Sequence, residues 1–312
     1  MVLNEAVLSV HTKETQTALS IARAGLRMYM GKQMGVEHDD IITYPLEGGD
    51  AVVTARRVAE VDGHETLYLL SSEGVYADPT FEGSPARRTV YQYVKKRGVV
   101  LDHMAALTQA TGGVRLRSGT NTYGDDGASS GDCEQPQANL MSVLMGSGSL
   151  EIDKGANLNG TSESLTVGSK QAVLDSLNLD WDLITNPSFA VDYEDELPDY
   201  GTLPYDSFPT VRFNGSLTLD KNDEGWGLLI VKQTLTVEDG WWWDGMVLAG
   251  HLVTPNNQIW ITGLAVAGLD GLGGYTDIRD KTEIKYHRCY AYKAGEKLSH
   301  FVPVGGTWWE GM

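Results

Sequence analysis

A constant spacing of 18 residues separates four short apolar segments, Val211-Arg212-Phe213, Leu229-Ile230-Val231, Val247-Leu248-Ala249 and Ala265-Val266-Ala267. A parallel β-helix needs short extended segments of β-branched and aliphatic residues at a fixed period, so that like residues stack in columns inside the coil. Gly, Asn and Asp residues fall between the segments, where corners require them. The register therefore predicts a right-handed parallel β-helix, with a regular antiparallel up-and-down sheet as the alternative.

The N-terminal part of the chain predicts a different structure. Residues 3–34 carry one long helical pattern, and the segments 50–61, 65–72 and 87–94 alternate as the strands of an antiparallel meander do. One face of the helix is small and smooth and suits close packing against a sheet or a neighbouring helix. That face consists of Ala18, Ala22, Gly25, Leu26 and Tyr29.

The composition changes near residue 98, where a basic stretch gives way to Gly, Ser, Asn and Asp. We therefore expect a mainly β protein with some α structure, divided into two domains. Residues 1–98 form the helix and antiparallel sheet, and residues 99–312 form the β-helix body. A short helical insertion is expected near 169–185, before Asn186-Pro187.

Charge is distributed unevenly along the chain. Residues 118–312 carry 11 Lys+Arg and 28 Asp+Glu, and the net charge of the whole chain is −18. An acidic body repels phosphate backbones, so the composition argues against nucleic acid and anionic membrane surfaces as partners. The sequence as given also has no run of 18 apolar residues and no signal-peptide pattern, so we expect a soluble chain.

Trp241, Trp242 and Trp243 form the most unusual local feature of the sequence. Three consecutive indoles cannot all point inward from a strand, so at least one faces outward. An exposed indole stacks on sugar rings or anchors a partner protein, which makes this aromatic patch a candidate interaction site. The structural alternative is that the indoles cover an end or a side of the solenoid.

The residue patterns of common catalytic and metal sites are missing from the sequence. The seven histidines show no HxH or HExxH spacing, and no GxSxG or Walker motif occurs. The stretch 220–225 begins like a calcium loop, but Val231 stands where the bidentate Glu belongs. We expect no enzyme activity, no cofactor and no metal; a β-helix polysaccharide lyase or hydrolase is the alternative.

The two cysteines, Cys133 and Cys289, have no metal-site spacing around them. The residues alone leave two possibilities open, one long-range disulfide or two buried thiols.

Five segments also follow one another in a set order, at 18–26, 86–90, 180–181, 211–250 and 286–289. The first, second, third and fifth are similar to the segments AAEAGL, ARRxV, DW and YSxC of bacterial pilus-assembly PilX-like proteins, and the fourth resembles part of their C-terminal body. The resemblance covers most of the chain, although each motif is short.

The resemblance implies a non-enzymatic, exported protein of the cell envelope or cell surface. It would be a pilin-like subunit or filament-associated component that contacts other pilin-like subunits, or copies of itself, through the small helix face. It further implies an apolar anchor segment, absent from this sequence, as the means of contact with a membrane. Cys133 and Cys289 would close a disulfide in an oxidising compartment. A carbohydrate-binding or adhesive module that recognises surface glycans is the alternative function.

Overall fold

The computed structural model describes residues 2–31, 40–62, 65–77, 84–101, 104–128, 139–161, 164–255, 258–279 and 281–311. Its first elements, in chain order, are α1 (Val2–Met30), β1 (Asp40–Leu46), β2 (Gly49–Asp62), β3 (Glu65–Tyr76), β4 (Ala86–Arg97), β5 (Ala105–Gln109), β6 (Val114–Leu116), β7 (Asn121–Tyr123), β8 (Met141–Met145), β9 (Leu150–Ile152), β10 (Asn157–Asn159) and β11 (Ser164–Thr166). The later elements are α2 (Lys170–Leu177), α3 (Trp181–Ile184), β12 (Tyr193–Glu194), β13 (Thr210–Phe213), β14 (Leu217–Leu219), β15 (Gly225–Val237), β16 (Trp242–Thr254), β17 (Trp260–Ala267), β18 (Thr276–Ile278), β19 (Glu283–Tyr286), α4 (Arg288–Glu296) and β20 (His300–Gly311). The fold is mainly β, with a long N-terminal helix.

The chain divides into two compact units. Unit 1 comprises Met1–Gly98 and Ser299–Met312, and unit 2 comprises Val99–Leu298. The first unit thus ends where the composition of the sequence changes. The predicted body of residues 99–312 extends too far, because β20 pairs antiparallel with β4 and belongs to unit 1.

Unit 1 is one antiparallel sheet with α1 packed on its face. The strand order is β1-β2-β3-β4-β20, so β1 and β20 are its edges. Ala22, Leu26 and Tyr29 of α1 join a hydrophobic cluster with Val53 and Leu70 of the sheet. Helix and sheet approach closely at Gly74, where a Cβ atom would overlap the backbone of α1. The predicted helix and meander are therefore present, with β1 and β20 as additional strands.

Unit 2 contains a curled sheet in which every described pair of strands runs parallel. Val211 pairs with Leu229, Leu229 with Val247, and Val247 with Ala265, so each step across the sheet spans the interval that the sequence repeats. The predicted register is confirmed, and the parallel pairing excludes the antiparallel alternative for these segments. All four side chains are completely buried, so this column supplies part of the core.

The sheet continues beyond β17 with strands from earlier in the chain. Ala265 of β17 pairs with Leu107 of β5, and Leu107 pairs with Val143 of β8. The order in space along this row is therefore β12-β13-β15-β16-β17-β5-β8-β11. The first strand of the row in the chain, β5, lies in its middle, and β8 and β11 follow it towards one edge. The next strand, β12, lies at the opposite edge, and β13, β15, β16 and β17 follow in order until β17 pairs with β5.

Two short helices lie in the region where the sequence predicts a helical insertion. Ser169 caps α2 by accepting a hydrogen bond from the backbone N–H of Ala172, and Asp180 caps α3 in the same way from Leu183. Trp181 is buried in the core of unit 2. Among the described helices of both units, none is long and apolar enough to cross a lipid bilayer.

Candidate interaction surfaces

The small helix face predicted to contact other subunits is buried within unit 1. Its residues are Ala18, Ala22, Gly25, Leu26 and Tyr29, and each is buried against the sheet of the same unit. A Cβ atom on Gly25 would overlap the Cβ of Ala51, which shows how closely helix and sheet approach. The expectation that these five residues contact another subunit is therefore corrected: they hold α1 on its own sheet. Contact with another subunit has to use other side chains.

The turns of α1 that precede this face are not buried. No side chain from Thr12 to Thr17 is buried, and Lys13 and Gln16 are exposed. A helix of 29 residues is about 43 Å long, so α1 offers a substantial length beyond its packed half. Helices in water owe most of their stability to the burial of an apolar face, which these turns lack. They are therefore a candidate surface for contact with another molecule.

The three consecutive tryptophans divide between the core and the surface. Trp241 and Trp243 are completely buried and stacked, with ring centroids 5.8 Å apart. The indole N–H of Trp241 donates to the carbonyl of Asp223, and that of Trp243 to the carbonyl of Gly227. These two residues are structural. Only Trp242, whose indole N–H donates to the Glu224 carboxylate, remains partly exposed as a surface residue of the patch.

Trp242 has a second indole beside it on the outer face of the sheet. In the parallel register Trp242 pairs with Trp260, which is 40% exposed. Trp260 was not among the predicted site residues, although it follows Trp242 at the 18-residue interval of the apolar segments, which is a signal present in the sequence. Adjacent strands lie about 4.8 Å apart, so both indoles occupy neighbouring places in one outward column. We call Trp242 and Trp260 the outer indole pair.

Polar side chains extend this column beyond the indoles. Glu283 follows Trp260 in the register, Asn121 follows Glu283, and Asn157 follows Asn121. Asn157 Nδ2 donates to Asn121 Oδ1 at 2.8 Å, the spacing of a regular amide ladder. The outward column therefore combines aromatic surface with carboxylate and amide groups.

An aromatic cluster whose outer member, Tyr205, is exposed lies near Asp244. Tyr200 and Tyr205 pack on Trp226 with centroids 4.7 and 5.0 Å away, and Tyr205 donates to Asp244 Oδ2 at 2.5 Å. Burial, followed by the hydrogen bond to Asp244, raises the pKa of Tyr205 well above the ordinary value. A phenol in this state keeps its proton near neutral pH and acts as a hydrogen-bond donor. The cluster covers the sheet and holds a loop in place.

Arg212 of β13 is a buried cation, 1% exposed. Its guanidinium donates to the carbonyl oxygens of Asn186 and Phe189 at 2.7 and 3.0 Å and to Glu194 Oε1 at 2.7 Å. The side chain does leave the sheet on the outer side, but the segment after α3 folds over it. Hydrogen bonds from Asn214, and then from Arg212, lower the pKa of Glu194 below its usual range.

The acidic stretch that begins like a calcium loop is a hydrogen-bonded turn. Asp220 Oδ1 accepts from the backbone and side-chain N–H groups of Asn222, and Asp223 Oδ2 accepts from the backbone N–H of Asp220. These oxygens are therefore used within the turn itself. Among the residues that the structure describes, no group of three or more His, Cys, Asp and Glu side chains is placed to hold a metal ion.

A buried ion pair lies beside one of the cysteines. Arg288, at the start of α4, donates to Asp126 Oδ2 at 2.5 Å, and their side chains are 2% and 0% exposed. Cys289 follows Arg288, is 4% exposed and is disulfide-bonded in the structure. Cys133 lies outside the described residues, so its pairing with Cys289 stays a prediction.

No protein-family model and no curated protein matches the chain. Among solved structures, the crystal structure of the competence-associated pilin ComZ from Thermus thermophilus matches over 95% of this chain and 96% of that chain, at 10% sequence identity and a TM-score of 0.21. A TM-score of this size is below that of proteins with a common fold, so the likeness carries no argument about structure or function.

Proposed function

We propose that this chain is a non-enzymatic, exported subunit of the cell envelope or cell surface that assembles with pilin-like subunits, either its own copies or others. The observation that carries the proposal is the division of α1. The half from Ala18 to Tyr29 is packed on the antiparallel sheet, whereas the turns from Thr12 to Thr17 are not buried. A helix held at one end by its own sheet leaves the other end available to an assembly.

Two finer points belong to the same proposal. The motifs in the sequence support membership of the PilX-like family of pilus-assembly proteins. The parallel pairing at the regular interval of the apolar segments supports a right-handed parallel β-helix as the architecture of unit 2. Such a body is a scaffold with a long, regular outer surface, as a protein exposed outside the cell requires.

Site-specific photo-crosslinking in the native host tests the assembly role. A photoreactive amino acid at Lys13, on the unburied turns of α1, should give crosslinks to pilin-like subunits that mass spectrometry identifies. The matched control carries the same group at Lys281, an exposed residue of unit 2. Equal crosslinking to pilin-like subunits from both positions, or none from Lys13, would contradict the proposal.

The second candidate function is the recognition of surface glycans, and the outer indole pair favours it. Two indoles at adjacent register positions give a flat surface on which pyranose rings stack, and Glu283 and Asn121 follow in the same column. A glycan array with the Trp260→Ala variant tests this candidate. Binding should disappear in that variant and persist in Leu272→Ala, which removes an apolar side chain that is 85% exposed elsewhere in unit 2. If the wild-type chain binds no glycan on the array, glycan recognition is rejected as a function of this chain.

A further inference from the structure

A groove of about 390 Å³ lies within unit 1, between α1 and the C-terminal strand β20. Its walls are Arg23, Leu26, Arg27 and Met30 of α1, Gln92 of β4 and Trp308 of β20. The four helix residues are three and four positions apart, so they form one stripe along α1. Leu26 is shared with the small face that packs on the sheet, and Arg23, Arg27 and Met30 lie outside that face.

Neither arginine of the groove has a counter-ion within the part of the chain that the structure describes. Among the described residues, neither Arg23 nor Arg27 forms a salt bridge or donates a hydrogen bond, and both side chains are exposed. The Arg23 guanidinium lies over the Trp308 ring, with its central carbon 4.8 Å from the ring centroid. A guanidinium stacked on an indole still presents its N–H groups along its edge, where they can bind a carboxylate.

The far wall of the groove is fixed in place by hydrogen bonds. Gln92 is only 8% exposed, and its Nε2 donates to Val304 O at 3.0 Å and to Thr307 Oγ1 at 2.8 Å. These bonds hold the irregular part of β20 that precedes Trp308. Trp309 stacks on Tyr91, with centroids 5.2 Å apart, and holds the strand from its other face. The indole at the groove is therefore preorganised to receive a ligand.

The chemistry of the groove calls for an occupant with carboxylates beside aromatic or aliphatic groups. The stretch 192–199, Asp-Tyr-Glu-Asp-Glu-Leu-Pro-Asp, has this composition, and all five of its acidic side chains are exposed. Glu196 has no hydrogen bond or ion pair within the described part of the chain. Residues 99–298 carry 13 Lys+Arg against 28 Asp+Glu, whereas the residues of unit 1 carry 11 against 14, so unit 1 is much less acidic than unit 2. We propose that the Arg23–Arg27–Trp308 groove of one copy binds the acidic segment 192–199 of a second copy of this chain.

The inference deepens the proposed assembly function and rests on it. The groove lies in unit 1 and the acidic segment in unit 2, so the contact joins two different surfaces. Such a heterologous contact leaves a vacant groove and a vacant acidic segment at the two ends of an open complex, so copies can add one after another unless the assembly closes into a ring. The groove would thus allow copies of the chain to bind one another even though the small face of α1 is buried against its own sheet.

Sedimentation velocity on the full chain tests the contact. The wild-type chain should self-associate at an ionic strength that screens the repulsion between two chains of net charge −18, and the dissociation constant should rise at least about tenfold in Arg27→Glu, because a charge-assisted pair is replaced by repulsion. Arg56→Glu is the matched control, since Arg56 is an exposed arginine of unit 1 outside the groove. The double variant Arg27→Glu with Glu196→Arg should recover association. Circular dichroism melts check that each variant folds.

A synthetic peptide of residues 190–201 tests the segment directly. It should bind the wild-type chain in calorimetry and compete with self-association, whereas its amide version, with Asn and Gln in place of Asp and Glu, should do neither. Self-association that Arg27→Glu leaves unchanged overturns the groove contact but not the assembly role, which the crosslinks from Lys13 report separately. A chain that stays monomeric at every concentration and does not bind the peptide also overturns the groove contact.

Discussion

Glycines at three equally spaced positions occupy neighbouring places in the register of β15, β16 and β17, where Gly227 pairs with Gly245 and Gly245 with Gly263. Gly227, Gly245 and Gly263 have φ angles of 114°, 142° and 142°, which L side chains rarely adopt. A Cβ atom on Gly245 would overlap the carbonyl oxygen of Gly227, and one on Gly263 would overlap that of Gly245. Glycine is needed in this column for two reasons, the backbone conformation and the close approach of the neighbouring strand.

We predict that Gly245→Ala destabilises unit 2 by more than about 2 kcal/mol, because it adds backbone strain to a steric overlap with Gly227. Chemical denaturation followed by circular dichroism measures the change. Gly215→Ala is the matched control, since no atom lies within 4 Å of a Cβ built at Gly215. If Gly245→Ala and Gly215→Ala are equally stable, the column of β15, β16 and β17 does not require glycine at position 245.

The buried pair of Asp126 and Arg288 gives a second prediction at the residue scale. Asp126→Asn leaves the Arg288 cation buried without its counter-ion, which costs about 3–5 kcal/mol in proteins. The neighbouring Asp125 is exposed, so Asp125→Asn should be close to neutral. Urea unfolding of both variants at pH 7 makes the comparison. If Asp126→Asn and Asp125→Asn unfold at similar urea concentrations, the ion pair of Asp126 and Arg288 does not stabilise the fold.

Among the elements, α1 depends on a glycine in the strand beneath it. A Cβ atom on Gly74 of β3 would overlap the carbonyl oxygen of Ala18, so Gly74→Ala should push the helix away from its sheet and cost about 1–3 kcal/mol. Gly305→Ala in β20 serves as the control, because no atom lies within 4 Å of a Cβ at that position. Thermal melts should show a lowered Tm for Gly74→Ala alone.

A charge cluster joins β18 to the residue that follows β6 and forms a second pattern at the element scale. Asp277 is 18% exposed and accepts hydrogen bonds from Arg117 and Arg279 at 3.0 and 2.8 Å. Burial raises the pKa of Asp277, but the hydrogen bonds from the two arginines outweigh it, and the net pKa is lowered. Because the folded-state pKa lies below the unfolded value, the stabilisation is present above about pH 4 and is lost as the pH falls through the folded-state pKa.

We therefore predict that Asp277→Asn lowers the free energy of unfolding at pH 7 and that its difference from the wild type shrinks below about pH 4. Urea unfolding curves recorded at several pH values from 7 to below about 4 measure the free energy of unfolding of the variant and the wild type. Asp182→Asn, which alters an exposed carboxylate on α3, should differ little from the wild type at either pH. A constant difference between Asp277→Asn and the wild type across the range would contradict the pKa direction.

For the whole molecule, the sequence contains the local repeat but not the order of the strands in space. The apolar columns through Val211, Leu229 and Val247 follow from their regular spacing. The pairing of Trp260 with Glu283 breaks that spacing, and no local pattern indicates that Leu107 pairs with Ala265. Such contacts depend on which apolar edges remain unpaired once the neighbouring strands have formed.

The interaction surfaces, like the strand order, could be predicted only in part from the sequence. The small face of α1 was recognisable from Ala18 and Ala22, but the sequence did not reveal whether a neighbour or the chain's own sheet covers it. The groove depends on Trp308 lying near Arg23, residues separated by almost the whole chain. Trp241 and Trp243 alternate with Trp242 about the sheet, as the geometry of a strand requires.

The predicted disulfide belongs to the scale of the whole molecule. If Cys133 and Cys289 are linked, the unreduced, unfolded chain should take up no alkylating agent and should take up two equivalents after reduction. Loop-closure entropy suggests that the Cys133→Ser variant loses roughly 4–5 kcal/mol at most. Two adducts without reductant, after expression under oxidising conditions, would contradict both the bond and the expectation of export.

The position of β5 in the middle of the row, between β17 and β8, sets the timing of folding. β5 is among the first strands of unit 2 to leave the ribosome, yet Ala265, the partner of Leu107 across one edge, is made only after the whole stretch 108–264. Synthesis of that stretch takes roughly 8–30 s at ordinary elongation rates. During this time β5 has one unpaired edge, of the kind that recruits other chains. Unit 2 therefore reaches its native pairing only after most of the chain has been made, and a chaperone or transport in the unfolded state would protect that edge until then.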